Sequence, residues 1–255
     1  MAVVSVPVTL GRSEVHIWYR ATDSSARSAV SLLSADERTR HDRLVFPRDR
    51  RDFAEAHALT RRVLSLYEDV APADWMFEIA AEGKPFLPRD RTGASPLSFN
   101  LSHTHGLVAC AVARGADVGL DVELIGRAVD ERGISMRYFT QAENALIHAC
   151  PEGERAARFI ELWTLKEAYI KAVGRGLAHP LDAFGFAPAG AGDLVFDPPP
   201  GENADEWTFA LFAPAPQARM AVAIRGGPSV RCRIIARPDG ETRPLDPLRY
   251  AAPAR

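Results

Sequence analysis

The strongest chemical signal in this 255-residue chain is carried by paired acidic residues and a nearby lysine. Val118-Gly119-Leu120-Asp121-Val122-Glu123 alternates apolar with small or acidic residues. In a strand, Val118, Leu120 and Val122 face one way and Gly119, Asp121 and Glu123 the other. Two carboxylates then lie about 7 Å apart on one face, beside a glycine that leaves room. Like charges so placed repel unless a cation sits between them, and a hard divalent ion takes oxygen ligands. A solvated face at a sheet edge would show the same pattern.

Trp163-Thr164-Leu165-Lys166-Glu167-Ala168-Tyr169-Ile170-Lys171 has helical spacing. Glu167 and Lys171 are four apart and share a face. On open surface such a pair is worth only about 0.3–0.5 kcal/mol. Here Phe159, Leu162, Leu165, Ile170 and Val173 surround it, which predicts the rim of a cleft.

Phe99-Asn100-Leu101-Ser102-His103-Thr104 is a strand running into small polar groups. Ser102 and His103 can bind phosphate oxygens through hydroxyl, imidazole and backbone N–H groups. A plain polar turn is the alternative. A Ser-His hydrolytic pair is not expected, because adjacent strand residues point apart and no nucleophile-elbow sequence is present. Gly83-Lys84-Pro85 reads as a turn presenting a lysine. Residues 38–51 are rich in arginine. That run is either a solvated face or a site for a polyanionic small molecule or an acidic partner. The sequence contains no GxxxxGK[ST], GxGxxG or HExxH signature.

The elements that must position these groups follow from periodicity. Strands are expected at 15–19, 75–80, 97–101, 107–113 and 118–124, with 102–106 connecting two of them. Ser34 with Glu37, and Thr140 with Glu143, form capping-box patterns for helices. Helices are expected over 50–69, 140–149 and 155–173, the last ended by Gly174 and Gly176. A β-meander is expected over 184–235, then an irregular proline-rich tail. The reading is α+β in two lobes: residues 1–116, then 117–228 carrying the acidic site, with a tail at 229–255.

Composition sets limits. Hydrophobic residues make up 47% and charged residues 25%, ordinary for a globular protein. A net charge of −2 offers no bulk attraction to nucleic acid or anionic membrane. The N-terminus has no basic stretch before its apolar residues, and no apolar run approaches the ~20 residues of a membrane span. Cys110, Cys150 and Cys232 lack zinc spacing and fit a reduced, cytoplasmic setting.

Taken in order, GKP (83–85), FNLSHT (99–104), VGLDVE (118–123) and WTLKEAYIK (163–171) resemble the surfactin-synthetase-activating (Sfp) type of 4′-phosphopantetheinyl transferase. About 40 residues separate the last two motifs, which also fits. Each motif is weak alone; the ordered set is specific and spans at least residues 34–186. The resemblance implies a monomer of two similar α/β lobes related by a pseudo-twofold axis, with coenzyme A between them. It implies Mg²⁺ held by Asp121, Glu123 and Glu167. Asp121, Glu167 and Lys171 would be catalytic, with Lys171 on the phosphate being transferred or on the leaving group. Arg40, Lys84, Asn100, Ser102, His103 and Lys171 would form the coenzyme A site. The implied reaction moves phosphopantetheine onto a serine of an acyl, peptidyl or aryl carrier protein, with Glu167 or a metal-bound water as base. The arginine-rich run or residues 137–149 would receive the carrier. Two other readings use the same residues: a metal-dependent phosphodiesterase, and a non-catalytic coenzyme A-binding module.

Overall fold

The computed structural model describes residues 8–11, 14–22, 26–88, 96–126, 130–174, 179–189, 193–226, 233–238 and 245–248. Cys232, Gly176 and most of the tail lie outside the described residues. The helices are α1 (Ala26–Val30), α2 (Ala35–Arg43), α3 (Pro47–Leu64), α4 (Glu131–Tyr138), α5 (Gln141–Ala149) and α6 (Glu152–Val173). The strands are β1 (Glu14–Ala21), β2 (Glu78–Ile79), β3 (Pro85–Phe86), β4 (Leu97–Thr104), β5 (Leu107–Arg114), β6 (Asp117–Leu124), β7 (Gly185–Ala189), β8 (Asp193–Asp197), β9 (Trp207–Phe212), β10 (Ala218–Arg225) and β11 (Arg233–Pro238).

Both capping boxes form. Ser34 and Glu37 close reciprocal bonds at the start of α2, and Thr140 and Glu143 do so at α5. Pro47 starts α3, where its missing N–H costs nothing. Gly174 ends α6 at φ 75°, in the left-handed region that glycine enters freely.

Two sheets stack between two long helices. One sheet has the order β11-β1-β5-β4 and the other β6-β10-β9. Val15, Ile17, Ala109 and Ala111 of the first meet Val118, Leu120, Val122 and Val222 of the second, all buried. The outer face of the first sheet packs on α3 through Trp18, Val108, Cys110 and Val112 against Leu59 and Val63. The second sheet packs on α6 through Ala221 and Ala223 against Leu165, Ala168 and Ala172. This is the expected α+β architecture of two α/β lobes, each a sheet backed by one helix. The apolar side of β6 turns inward as its alternation predicts.

Some elements differ from the sequence expectation. Strand β4 runs on through Thr104, because Leu97–Thr104 pairs with Leu107–Arg114 without a break and the chain turns only at Gly106. The stretch 75–80 pairs over Glu78–Ile79 alone. Trp75 is held by side-chain chemistry instead: its indole N–H donates to Ser65 Oγ at 2.9 Å and its carbonyl accepts from Arg61 at 2.5 Å. The expected meander divides three ways. β7 and β8 form a hairpin, β9 and β10 extend from β6, and β11 runs parallel to β1 in the other sheet. Alternation marks a strand but does not choose its partner.

Candidate active site

The two sheets abut where β4 meets β6, each at the end of its own sheet. An edge strand carries N–H groups with no ladder partner. Side chains of β4 answer them. Asn100 Oδ1 accepts from Leu120 N at 2.8 Å, and Ser102 Oγ accepts from Val122 N at 3.3 Å. The same face then binds the acids: Ser102 Oγ donates to Asp121 Oδ1 at 3.1 Å, and Thr104 Oγ1 to Glu123 Oε2 at 3.2 Å. Period-two alternation puts Asn100, Ser102 and Thr104 on one side of β4. One strand thus stitches the lobes together and orients the acids.

Helix α6 covers the acidic face of β6. A Cβ on Gly119 would fall 2.0 Å from the carbonyl oxygen of Ala168 and 2.3 Å from the amide of Ala172. Only glycine allows this approach, which sets Glu167 and Lys171 over Asp121. Lys171 Nζ donates to Asp121 Oδ1 at 2.6 Å and to Ser102 Oγ at 3.2 Å. The other carboxylate oxygen of Asp121, Oδ2, is buried without a hydrogen-bond partner. Burial first, then the charges of Asp121 and Glu123, push the Glu167 carboxyl up to about 7, against the pull of Lys171. Lys171 thus binds Asp121 directly and acts on Glu167 through its charge alone. No described residue hydrogen-bonds the Glu167 carboxylate. Among the described residues, no group of three His, Cys, Asp or Glu side chains is drawn into a ready-made metal cluster. The donor atoms are nonetheless carboxylate oxygens, one of them on Asp121 buried without a partner, which suits a hard divalent ion.

Two adjoining cavities meet at Lys171. The smaller, about 370 Å³, is lined by Lys84, Asn100, Glu167 and Lys171. The larger, about 450 Å³, has Arg40, Ser102, His103 and Lys171 on its walls, with apolar Met76 and Ile79. His103 is accessible but set in a concave wall. Loss of solvent there holds its pKa below the usual value; His57 and Lys171 add to this, while Asp52 and Asp121 oppose it. Arg40 is exposed at the rim.

Each residue expected from sequence is therefore placed. Asp121, Lys171 and Ser102 come together, Glu167 lines the smaller cavity beside Lys171, Glu123 sits on the same strand face bonded to Thr104, and His103 and Arg40 lie along the larger cavity. Asn100 binds backbone. Lys84 is committed to the backbone carbonyls of Val118, Lys171 and Ala172.

The sequence reading missed a buried network beneath the larger cavity. Arg61, fully buried, donates to Glu37 Oε2 at 2.7 Å and lies over the Phe77 ring at 4.8 Å. His57 Nδ1 lies 2.9 Å from Glu37 Oε1. A buried arginine and a histidine 20 residues from Glu37 carry no local signal; Glu37 reads from sequence as a capping residue alone. Burial would raise the Glu37 carboxyl, but His57, the Ser34 amide and Arg61 outweigh it and bring it down from 4.5 to about 2. A carboxyl lowered on folding adds stability above its unfolded value and loses it as pH falls through the folded one. Glu37 is thus expected to contribute about 3 kcal/mol at neutral pH, vanishing between about pH 4.5 and 2. Thermal melts of Glu37→Gln and wild type should converge across that window. Parallel curves down to pH 2 would refute the network's role.

The family model "4'-phosphopantetheinyl transferase superfamily" matches residues 117–223, and "4'-phosphopantetheinyl transferase, N-terminal" matches 18–114. The chain is 33% identical over 222 residues to the 4'-phosphopantetheinyl transferase HetI of Nostoc sp., covering 86% of this chain and 91% of that one. It is 31% identical over 155 residues to the 4'-phosphopantetheinyl transferase Sfp of Bacillus subtilis, covering 61% and 66%. It is 28% identical over 167 residues to the human L-aminoadipate-semialdehyde dehydrogenase-phosphopantetheinyl transferase, covering 62% and 53%. The chain belongs to the 4'-phosphopantetheinyl transferases, and within them to the Sfp type. It is an enzyme of that class.

Proposed function

We propose that this enzyme transfers the phosphopantetheine arm of coenzyme A to a serine hydroxyl of an acyl, peptidyl or aryl carrier protein, with Mg²⁺, releasing adenosine 3',5'-bisphosphate. The observation that carries the reading is the charge pattern at the seam of the cleft. Asp121 and Glu123 act on Glu167 strongly enough to help raise its pKa, and cationic Arg40 and Lys171 border the adjoining cavities.

Asp121, Glu123 and Glu167 would hold Mg²⁺, which when bound neutralises phosphate charge. Arg40, Ser102 and His103 line the space for the nucleotide and its phosphates, and Asn100 keeps that wall in register. The carrier serine attacks the β-phosphorus of coenzyme A. A new Oγ–P bond forms, and the bond from that phosphorus to the bridging oxygen breaks. Glu167, as carboxylate, accepts the hydroxyl proton. Lys171 offsets charge growing on the leaving bisphosphate. Nothing in this scheme calls for nucleic acid, and no described helix is long and apolar enough to cross a membrane. The domain division at residue 116, the monomeric state and a cytoplasmic setting belong to the same proposal.

Metal binding requires Glu167 as carboxylate, so it should release a proton below about pH 7 and tighten as pH rises through that value. Calorimetric titration of the ligand-free protein with Mg²⁺ in buffers of different ionisation enthalpy reads both effects. Proton release at pH 6 that disappears in Glu167→Gln supports the ligand set. Equal affinity at pH 6 and 8, unchanged in the variant, removes Glu167 from it.

A further inference from the structure

We infer that Lys84 is a positioning residue, a cap that one lobe supplies to the catalytic helix of the other. This rests on the reading of Lys171 given above. The last four carbonyls of an α-helix have no partner within the helix. In α6 these include Lys171 and Ala172, in the turn that carries the catalytic ammonium. Lys84 Nζ reaches them from the turn between β2 and β3. It donates to Lys171 O at 2.6 Å, to Ala172 O at 3.4 Å and to Val118 O of β6 at 3.1 Å. An ammonium has three protons, and these three carbonyls take all of them. A cation at this end also complements the helix dipole.

The placement explains why a lysine stands between Gly83 and Pro85. The turn projects one long side chain across the lobe boundary, onto the point where β6 begins and α6 ends. Gly119, one residue beyond Val118, is where the two backbones touch. Lys84 thus clamps strand and helix beside their closest approach. Lys171, held at its backbone carbonyl, keeps its own Nζ on Asp121 and Ser102. Lys84 is not expected to bind the nucleotide.

Lys84→Met keeps the length of the side chain and removes the donors. Two readouts separate the roles: steady-state kinetics with coenzyme A and with 3'-dephospho-coenzyme A, and hydrogen exchange of peptides covering 165–174 in ligand-free protein. A displaced Lys171 should lower kcat about tenfold to hundredfold. KM for coenzyme A should stay within about twofold, because no ligand contact is lost. The preference for the 3'-phosphate should be unchanged, and the last turn of α6 should exchange faster. A KM raised about tenfold with loss of that preference would make Lys84 a nucleotide ligand and overturn the inference. Unchanged exchange with unchanged kcat would also overturn it. Should Lys84→Met fail to fold, Lys84→Arg keeps a cation and should retain slow exchange in the last turn; fast exchange there would contradict the cap. The exchange arm uses no substrate, so its outcome is independent of whether the transfer reading stands.

Discussion

Glu167→Gln is expected to lower phosphopantetheine transfer about 10²–10⁴-fold, the range for loss of a positioned general base. The same substitution should leave the fold intact and the ligand-free protein at least as stable. The sign follows from the raised carboxyl. A group whose folded pKa is about 7 resists ionisation in the fold, so above its ordinary value of 4.5 it costs stability. An amide removes that cost and the repulsion from Asp121 and Glu123. Single-turnover transfer rates and thermal melts at pH 8 read the two effects together. A folded Glu167→Gln enzyme with near-normal turnover would remove Glu167 from the base and ligand roles. Loss of both activity and stability would show that Glu167 holds the fold.

The second large effect lies one residue earlier. Lys166 is fully buried, and its ammonium is 2.9 Å from Glu143. It also donates to Leu181 O and Phe184 O, each at 2.7 Å. Burial holds its pKa below the usual range, while Glu143 and Asp182 pull the other way. Three acceptors around it require the ammonium form. Glu143 is equally engaged, taking the Thr140 amide at 2.9 Å and the Phe186 amide at 3.0 Å. The pair therefore ties α5, α6 and the start of β7 into one unit behind the catalytic face. Removing one partner strands a buried charge, which costs about 3–5 kcal/mol. For a chain of this size that lowers the melting temperature by roughly 10 °C. Lys166→Met should show this loss, and Lys166→Met with Glu143→Met should recover part of it. A single variant within about 1 kcal/mol of wild type would mean the pair is not what joins these elements.

The contrast between Lys166 and Glu167 shows what a sequence reveals and what it hides. Glu167 and Lys171 announce themselves by helical spacing on an apolar helix, and the structure places both over Asp121. The alternation at 118–123 sorts β6 into a buried apolar side and an acidic side; Gly119 reads from sequence only as room beside the acids, and the structure fills that room with the backbone of α6. These features depend on neighbours in sequence, so periodicity finds them. Lys166 looked like part of the same motif, yet its partner Glu143 is 23 residues away and was legible only as a helix cap. Arg61, Glu37 and His57 escaped for the same reason. Lys84 was seen, but a turn lysine looks alike whether it meets phosphate, solvent or a helix end. The strand pairings of the second half were misjudged because β11 crosses to the other sheet, and alternation carries no information about crossovers. Short α4, with Ile134 and Met136 its only large aliphatic residues, gave too weak a stripe to stand out.

The most direct test of the account is the intact mass of a purified apo carrier protein after incubation with this enzyme and coenzyme A, with Mg²⁺ and with chelator. The account predicts a gain of one phosphopantetheine on the carrier serine, in the Mg²⁺ sample alone. A carrier of unchanged mass while coenzyme A is hydrolysed would contradict it and point to a phosphodiesterase. A carrier unchanged across acyl, peptidyl and aryl classes, with coenzyme A bound and intact, would contradict it and leave a binding module.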